Sequence, residues 1–344
     1  MMCVSRMLGP FVLTGVLMIC TTPGARAADS TTLDQVRSRG VLRCGISEGI
    51  AGFSLRNESG TWTGIDVDFC RAVAAAVLGS PDKVVYVPLR ASERFPALRV
   101  DAIDLLARNT SWTLLREGAL GIQFAGILFH DGQAFMVKAR GAPQMLTGLK
   151  DATVCVKKDT SSQGHLLAYS AANGLNLRPV VVTSTTEASA ALFSGRCHAW
   201  TSDASQLSAA RLAAPGGSSS WLIMPERISQ EPQGPVVRDD DPKWLVLVRW
   251  VLIALVRAEQ FGVTRESVAQ RSHETAVQSA LMADDDVNRS LGVTPGWMVR
   301  AVQAAGNYGE MFDRNLGTRS PLGLERGPNR LWTQGGLMYA PPLR

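Results

Sequence analysis

The sequence predicts an α/β protein of two lobes with mainly parallel sheets, and three observations predict it. Short apolar strands alternate with helical stretches from Leu33 onward, and the alternation restarts near residue 151. Two segments, 129–137 and 225–242, suit passages between the two units. Alternation of this kind marks βαβ units, because parallel strands need a crossover, usually a helix, to join them. Two passages mean that the chain enters a second lobe, leaves it, and returns to finish the first. A cleft then lies between the lobes, where the carboxyl ends of the strands face each other.

The elements follow in chain order. Residues 41–46 (VLRCGI) read as the first strand. GIDVDFCRAVAAAVLG then carries Phe69, Val73 and Val77 at helical spacing and closes on Gly79, a residue that tolerates the left-handed turn of a helix end. Strands follow at 84–88 (VVYVP) and 102–107 (AIDLLA), and 129–137 (FHDGQAFMV) reads as a connecting strand. The second unit has strands at 152–158, 180–184 and 197–203, with helices at 162–174 and 187–195 between them. The Pro- and charge-rich 225–242 suits the return passage. The partition is therefore 28–130 with 233–344 as one lobe and 131–232 as the other. Residues 244–256 (WLVLVRWVLIALV) are 13 long and interrupted by Arg249, so they read as a buried helix; a membrane span needs ~20 apolar residues. Region 264–290 is weakly patterned and is assigned to surface helix and loop on the first lobe.

The first 27 residues stand apart. Arg6 gives a positive start, residues 7–20 are almost wholly apolar, and Ala25-Arg26-Ala27 offers a cleavage site, so residues 1–27 read as a secretory signal peptide. A lipid anchor at Cys20 competes less well, because Ile19 stands where that machinery prefers a small residue. Without Arg6 and Arg26, 33 basic residues face 30 acidic ones, dispersed along the chain with no basic run to track phosphates, so nucleic acid is excluded as a partner.

Cys44, Cys70, Cys155 and Cys197 form an even set in an oxidising compartment, which favours two disulfides over buried thiols and leaves three connectivities. The partition selects 44–70 and 155–197, one per lobe, since a bond between lobes would lock the cleft. CxxC and a nearby His pair are missing, as are HExxH, GxGxxG, GxSxG and the P-loop, so neither a metal nor another cofactor is expected.

Polar turns carry the candidate chemistry. RNTSWTLLR (108–116) sits at a strand's carboxyl end and opens a helix, whose first N–H groups lack partners. Those groups, with Asn109 and Ser111, favour an anion, and the Arg116 guanidinium suits a carboxylate bidentately. An ordinary helix cap by Ser111 or Thr113 beside a surface arginine is the plain alternative. DTSSQ (159–163) brings Thr160, Ser161 and Ser162 to the equivalent place in the other unit, and TSDAS (201–205) presents Asp203, either to an ammonium or merely to its own turn. An α-amino acid carries both charges on one carbon.

At these residues the chain resembles the periplasmic substrate-binding proteins of polar amino acid ABC transporters (solute-binding protein family 3), and within them the general L-amino acid-binding group. The resemblance runs from about Leu33 to Arg344. It is carried by GTWTGIDVDFCRAVAAAVLG, RNTSWTLLRE and FHDGQAFMV, and by the carboxyl-terminal GNYGEMFDRNLG, SPLGLERGPNRLW and GGLMYAPPLR. It implies two Rossmann-like lobes joined by a two-strand hinge, the type II periplasmic binding protein fold. It further implies a periplasmic protein that captures polar L-amino acids and delivers them to an ABC transporter permease; a monomer is expected. Arg116 resembles the α-carboxylate ligand and Asp203 the α-ammonium ligand, with Asn109, Ser111, Thr160, Ser161 and Ser162 in the binding turns. Ile50 stands where many relatives that bind lysine, histidine or glutamine carry a stacking aromatic. Asp159 stands where relatives often have glycine, and Glu48 adds negative charge near the presumed ligand. Lys157 and Lys158 add positive charge, at least one of them directed to solvent by strand alternation. Exported enzymes of the same fold, the cyclohexadienyl or arogenate dehydratases, are the alternative. They would need an acid or base in the cleft, for which Glu48 is the candidate; His130, His165 and His198 read as structural.

Overall fold

The computed structural model describes residues 31–344. The expected signal peptide, with Cys3 and Cys20, lies outside the described residues.

Helix α1 (Thr32–Arg39) is capped by the Thr31 hydroxyl and ends on left-handed Gly40. It leads into β1 (Leu42–Ser47), a central strand whose Leu42, Cys44 and Ile46 are wholly buried. A short hairpin, β2 (Leu55–Arg56) and β3 (Trp62–Thr63), precedes α2 (Ile65–Leu78). The turn between them depends on Gly64, at φ 132°, where a Cβ would stand 2.0 Å from the Phe53 carbonyl oxygen. Helix α2 ends on left-handed Gly79 but is buried almost all round rather than along one stripe. A helix apolar on every side needs cover on every side. Then come β4 (Val84–Leu89), α3 (Arg94–Arg99), β5 (Leu105–Leu106), α4 (Leu114–Ala119) and β6 (Ile122–Phe124).

Strand β7 (Phe129–Asp131) carries the chain to a second unit. That unit holds β8 (Gln133–Lys138), β9 (Thr153–Lys157), α5 (Ser161–Ala172), β10 (Arg178–Val182), α6 (Thr185–Phe193), β11 (Ala199–Asp203), α7 (Ala204–Leu212) and β12 (Trp221–Ile223). Strand β13 (Glu231–Gln233) returns antiparallel to β7, pairing Gln233 with Phe129 and Glu231 with Asp131, and β14 (Val236–Arg238) rejoins the first sheet. Gly234 permits the close passage here, since a Cβ would stand 1.8 Å from the Gly126 carbonyl oxygen.

The two five-stranded sheets run β4-β1-β5-β14-β6 and β10-β9-β11-β8-β12. In each, three strands pair in parallel, and the strand that has just passed between units, β14 or β8, enters antiparallel. Each is thus the mainly parallel sheet expected, with an antiparallel insertion dictated by the direction of the crossing strand. Cys44 is bonded to Cys70 and Cys155 to Cys197, so each bond staples one unit.

Helix α8 (Pro242–Gln260) is capped by Asp241 and anchored by Trp244, whose indole N–H donates to the Asp104 carbonyl at 2.9 Å. Among the described residues no helix is long and apolar enough to cross a membrane. The tail forms α9 (Val268–Arg271), α10 (Thr275–Leu281), α11 (Asp285–Leu291), α12 (Trp297–Ala305) and α13 (Tyr308–Asn315). Region 264–290 is more than surface, because Val268, Val277, Ala280 and Leu281 are buried in the core shared with α8. The tail also covers the outer face of α2: Arg300 of α12 donates to the Ala75 and Ala76 carbonyls, and Arg314 of α13 pairs with buried Asp68 at 2.6 Å. Beyond α13, Asn329 holds β7, accepting from the His130 N–H at 2.7 Å and donating to its carbonyl at 3.0 Å.

Candidate functional site

The first polar turn leaves β5 and is stitched down by its own backbone. The Arg108 Nε donates to the Leu89 carbonyl at 2.8 Å. Asn109 takes a left-handed φ of 34°, a conformation Asn tolerates because its short side chain clashes little, and its N–H donates to buried Asp66. Ser111 bridges to Gln233, and the Trp112 N–H donates to the Pro232 carbonyl at 2.7 Å, so the turn rides on the returning strand β13. Thr113 is the cap of α4, its hydroxyl accepting from the Arg116 N–H. Arg116 then curls back, and its Nη1 donates to the Ser111 carbonyl at 2.6 Å. One nitrogen spent on the turn fixes the plane of the guanidinium. Far from being a surface arginine, Arg116 is 9% exposed.

The second turn leaves β9 in the same sense. Lys157, the last residue of β9, is buried like the three residues before it, and Lys158, just past the strand, is exposed. Asp159 has φ 60°, which explains why glycine suits this position and why Asp serves in its place. The Thr160 hydroxyl donates to the Lys157 carbonyl at 2.6 Å instead of capping α5. The Ser161 hydroxyl donates to Glu231 at 2.9 Å and lies 3.4 Å from that of Ser111, so the two turns meet. Buried Ser162 presents its carbonyl to Gln133. Asp203 ends β11 and makes no capping bond to α7 with its side chain. It accepts instead from the Gln233 Nε2 at 3.0 Å, in a site 8% exposed.

Arg116, Asn109, Ser111, Thr160, Ser161, Ser162 and Asp203 all line one inner slot, of about 20 Å³. Glu48 stands apart. It is exposed, pairs with Arg90 at 3.5 Å, and lines an adjoining outer chamber of about 240 Å³ that also holds Ile50. Arg108, Lys157 and Ser202, which flank or belong to the polar turns, also line the slot, and two residues that sequence pattern had not marked complete it: Arg94 from the start of α3 and Gln206. Arg108 and Lys157 also line the outer chamber, so they stand where the two spaces join. Larger hollows lie beside Trp250 and Asp68; in the second, Asp68 is paired with both Arg71 and Arg314.

The slot gathers buried charges of both signs. Burial, then Asp131 and Glu231, push the Asp203 carboxyl well above its usual value. Burial and then its neighbours Arg116 and Arg108 push Arg94 well below its ordinary value. Burial lowers Arg108 to about 10, and burial beside Arg108 brings Lys157 down to about 7. Burial also lowers Arg116, opposed by Glu231 and Asp203. Shifts of this kind collect where buried charges are assembled for a ligand. No histidine lines the slot: His165 pairs with Glu231 at 3.0 Å, His198 bonds Thr153, and His130 sits on β7 with its imidazole lowered by burial. Among the described residues no group of three or more His, Cys, Asp or Glu could hold a metal.

A model of the bacterial extracellular solute-binding proteins, family 3, matches residues 42–268. The chain is 42% identical over 325 residues to the general L-amino acid-binding periplasmic protein AapJ of Rhizobium johnstonii, covering 93% of its own length and 95% of that relative. It is 41% identical over 323 residues to the glutamate/glutamine/aspartate/asparagine-binding protein BztA of Rhodobacter capsulatus, with 93% and 95% covered. A periplasmic binding protein of an ABC transporter from Brucella ovis, solved with glutathione bound, is similar at a TM-score of 0.88 and 41% identity, over 92% of this chain and 100% of that one.

Proposed function

The chain belongs to the bacterial extracellular solute-binding proteins, family 3, and from that premise we propose that Arg116 and Asp203 grip the two poles of one polar L-amino acid. The protein binds amino acids in the periplasm for an ABC transporter, as its relatives at about 40% identity do. The observation that carries the residue assignment is that Arg116 and Asp203, each buried, reach one slot from separate sheets.

We take residues 28–130 with 233–344 and residues 131–232 as the two lobes, hinged at the paired connecting strands β7 and β13. A slot of about 20 Å³ holds little more than one water molecule. An amino acid therefore enters only when the lobes part and the Ser111–Ser161 contact opens. Arg116 takes the α-carboxylate with the nitrogens it does not spend on Ser111, aided by the Ser111 and Ser161 hydroxyls, and Asp203 takes the ammonium. The ligand touches both lobes only when they close, and that difference in contact is what shifts the population to the closed form. The closed form, a monomer, docks on the permease and releases its cargo there.

The dehydratase alternative has less support. Glu48, its one acid or base candidate, lies outside the slot and is tied to Arg90. Prephenate and arogenate are expected to remain unchanged on incubation with the protein.

A thermal-shift screen of the twenty L-amino acids tests the reading, since a ligand that binds only the folded chain stabilises it by RT ln(1 + [L]/Kd). Polar L-amino acids are expected to raise Tm, and Arg116→Ala is expected to abolish that rise. A variant that still responded in full would remove Arg116 from the site.

A further inference from the structure

Holding an α-amino group and an α-carboxylate engages Asp203 and Arg116 and leaves three more buried cations around the same slot. Arg94, Arg108 and Lys157 are 3%, 4% and 7% exposed. Their protein partners are few. Arg108 donates Nε to a backbone carbonyl, and Arg94 gives one nitrogen to the Asp159 carbonyl at 3.3 Å while its buried Nε has no partner. Lys157 reaches only the Thr185 hydroxyl, at 3.3 Å.

Carboxylates nearby do not balance this set once a ligand's ammonium takes Asp203: that carboxyl, which acts on both Arg94 and Lys157, is itself pushed up by burial, and Asp159, which also acts on Arg94, is exposed to water. Asp66 accepts the Asn109 N–H and is itself pushed up to about 7 by burial, which favours its neutral form. Glu48 is paired with Arg90 in the outer chamber. Glu231 is taken up by Ser161, Ser229 and His165. Arginine cannot shed its proton, so Arg94 and Arg108 hold like charges together in a site shielded from water. Buried charge without counter-charge is costly, and an anion placed among them relieves that cost.

Position says which part of a ligand brings the anion. Arg108 and Lys157 stand at the junction of slot and outer chamber, past which the side chain of a gripped amino acid must run. They follow β5 and end β9 respectively, so an anion between them ties the two sheets together a second time. Resting on the amino-acid-binding reading above, we propose that Arg108 and Lys157, backed by Arg94, form a distal anion subsite, and that the ligand is an α-amino acid whose side chain carries a second carboxylate. Free acidic amino acids and γ-glutamyl peptides share that chemistry.

Calorimetric titration of the mature protein with L-glutamate, L-glutamine and glutathione tests the subsite. The probes share the α-amino acid head, and glutamine lacks the second carboxylate. Glutamate or glutathione is expected to bind at least about tenfold tighter than glutamine, the contribution of one hydrogen bond between charged groups. Lys157→Met removes a buried charge without leaving a hole. It is expected to lower the ratio of dicarboxylate to glutamine affinity about tenfold or more, and Lys157→Arg is expected to restore the preference. Lys158→Met, on the exposed neighbour, is expected to change nothing. Whichever of glutamate and glutathione binds tighter identifies the source. Glutamine binding as tightly as both, or a dicarboxylate preference untouched in Lys157→Met, overturns the subsite and leaves the amino-acid-binding reading standing. Failure of every amino acid to bind overturns both.

Discussion

Replacing Asp203 by Asn separates the ligand's requirement from the fold's. The carboxylate is 8% exposed, and burial with Asp131 and Glu231 pushes its ionisation well above the ordinary range. Asn keeps the volume and can still accept from the Gln233 Nε2, now 3.0 Å from Asp203. What it removes is the charge opposite the ammonium. A hydrogen bond between charged groups contributes about 1.5–3 kcal/mol, so affinity is expected to fall roughly 10- to 150-fold. Ligand-free stability is expected to move the other way. An acid whose folded value lies above its unfolded value of 3.8 weakens the fold as pH climbs from that value towards neutrality, because the folded state then binds more protons than the unfolded one. Asn abolishes that slope, so the ligand-free variant should be more stable at pH 7 and equal to the parent near pH 3. Calorimetric titration with the best ligand reads the first effect, and urea unfolding at the two pH values the second. Unchanged affinity, or a ligand-free variant less stable at pH 7, would refute the assignment of Asp203.

Three further predictions concern the rest of the structure. Removing the disulfides as Cys44→Ser/Cys70→Ser and Cys155→Ser/Cys197→Ser should cost about 3.5 and about 4 kcal/mol, from loops closed by separations of 26 and 42 residues, measured by denaturant unfolding. Lys157, at about 7 among Arg108, Arg94, Asp203 and Glu48, should regain a proton when an anion arrives, so a dicarboxylate should bind less tightly as pH rises above about 7. Titration near pH 8 in buffers of different ionisation enthalpy should show more proton uptake in the parent than in Lys157→Met, a comparison that cancels any proton released by Asp203. Gly64→Ala, forced against the Phe53 carbonyl at φ 132°, should lose several kcal/mol (~3 or more) and lower Tm without altering the ligand preference of the fraction that folds.

What could be read from the sequence was whatever repeats locally. Strand–helix alternation reports backbone geometry residue by residue, so both sheets and the two passages between them were legible. The polar turns were visible for the same reason: RNTSWTLLR and DTSSQ each gather several polar side chains at a strand's end. Arg94 had no such signal. It opens the short helix α3, fourteen positions before Arg108, and reaches the slot only because the fold brings α3 against the two turns. Glu231 and Gln233 were hidden in a Pro-rich return segment whose composition announces a passage and conceals that it supports Ser161 and Asp203. The all-round burial of α2 depends on a tail more than two hundred residues away, which no periodicity within the helix can foretell. Glu48 was legible only as negative charge beside the expected ligand; that it pairs with Arg90 and lines the outer chamber rather than the slot depends on a residue brought from the far end of β4.

A crystal structure of the protein saturated with its best-binding L-amino acid shows most directly whether opposing lobes hold a zwitterion at its two poles. The α-carboxylate is expected within ~3 Å of the Arg116 guanidinium and the ammonium within ~3 Å of the Asp203 carboxylate, in one closed cleft. A bound amino acid whose two poles meet neither side chain would contradict this arrangement.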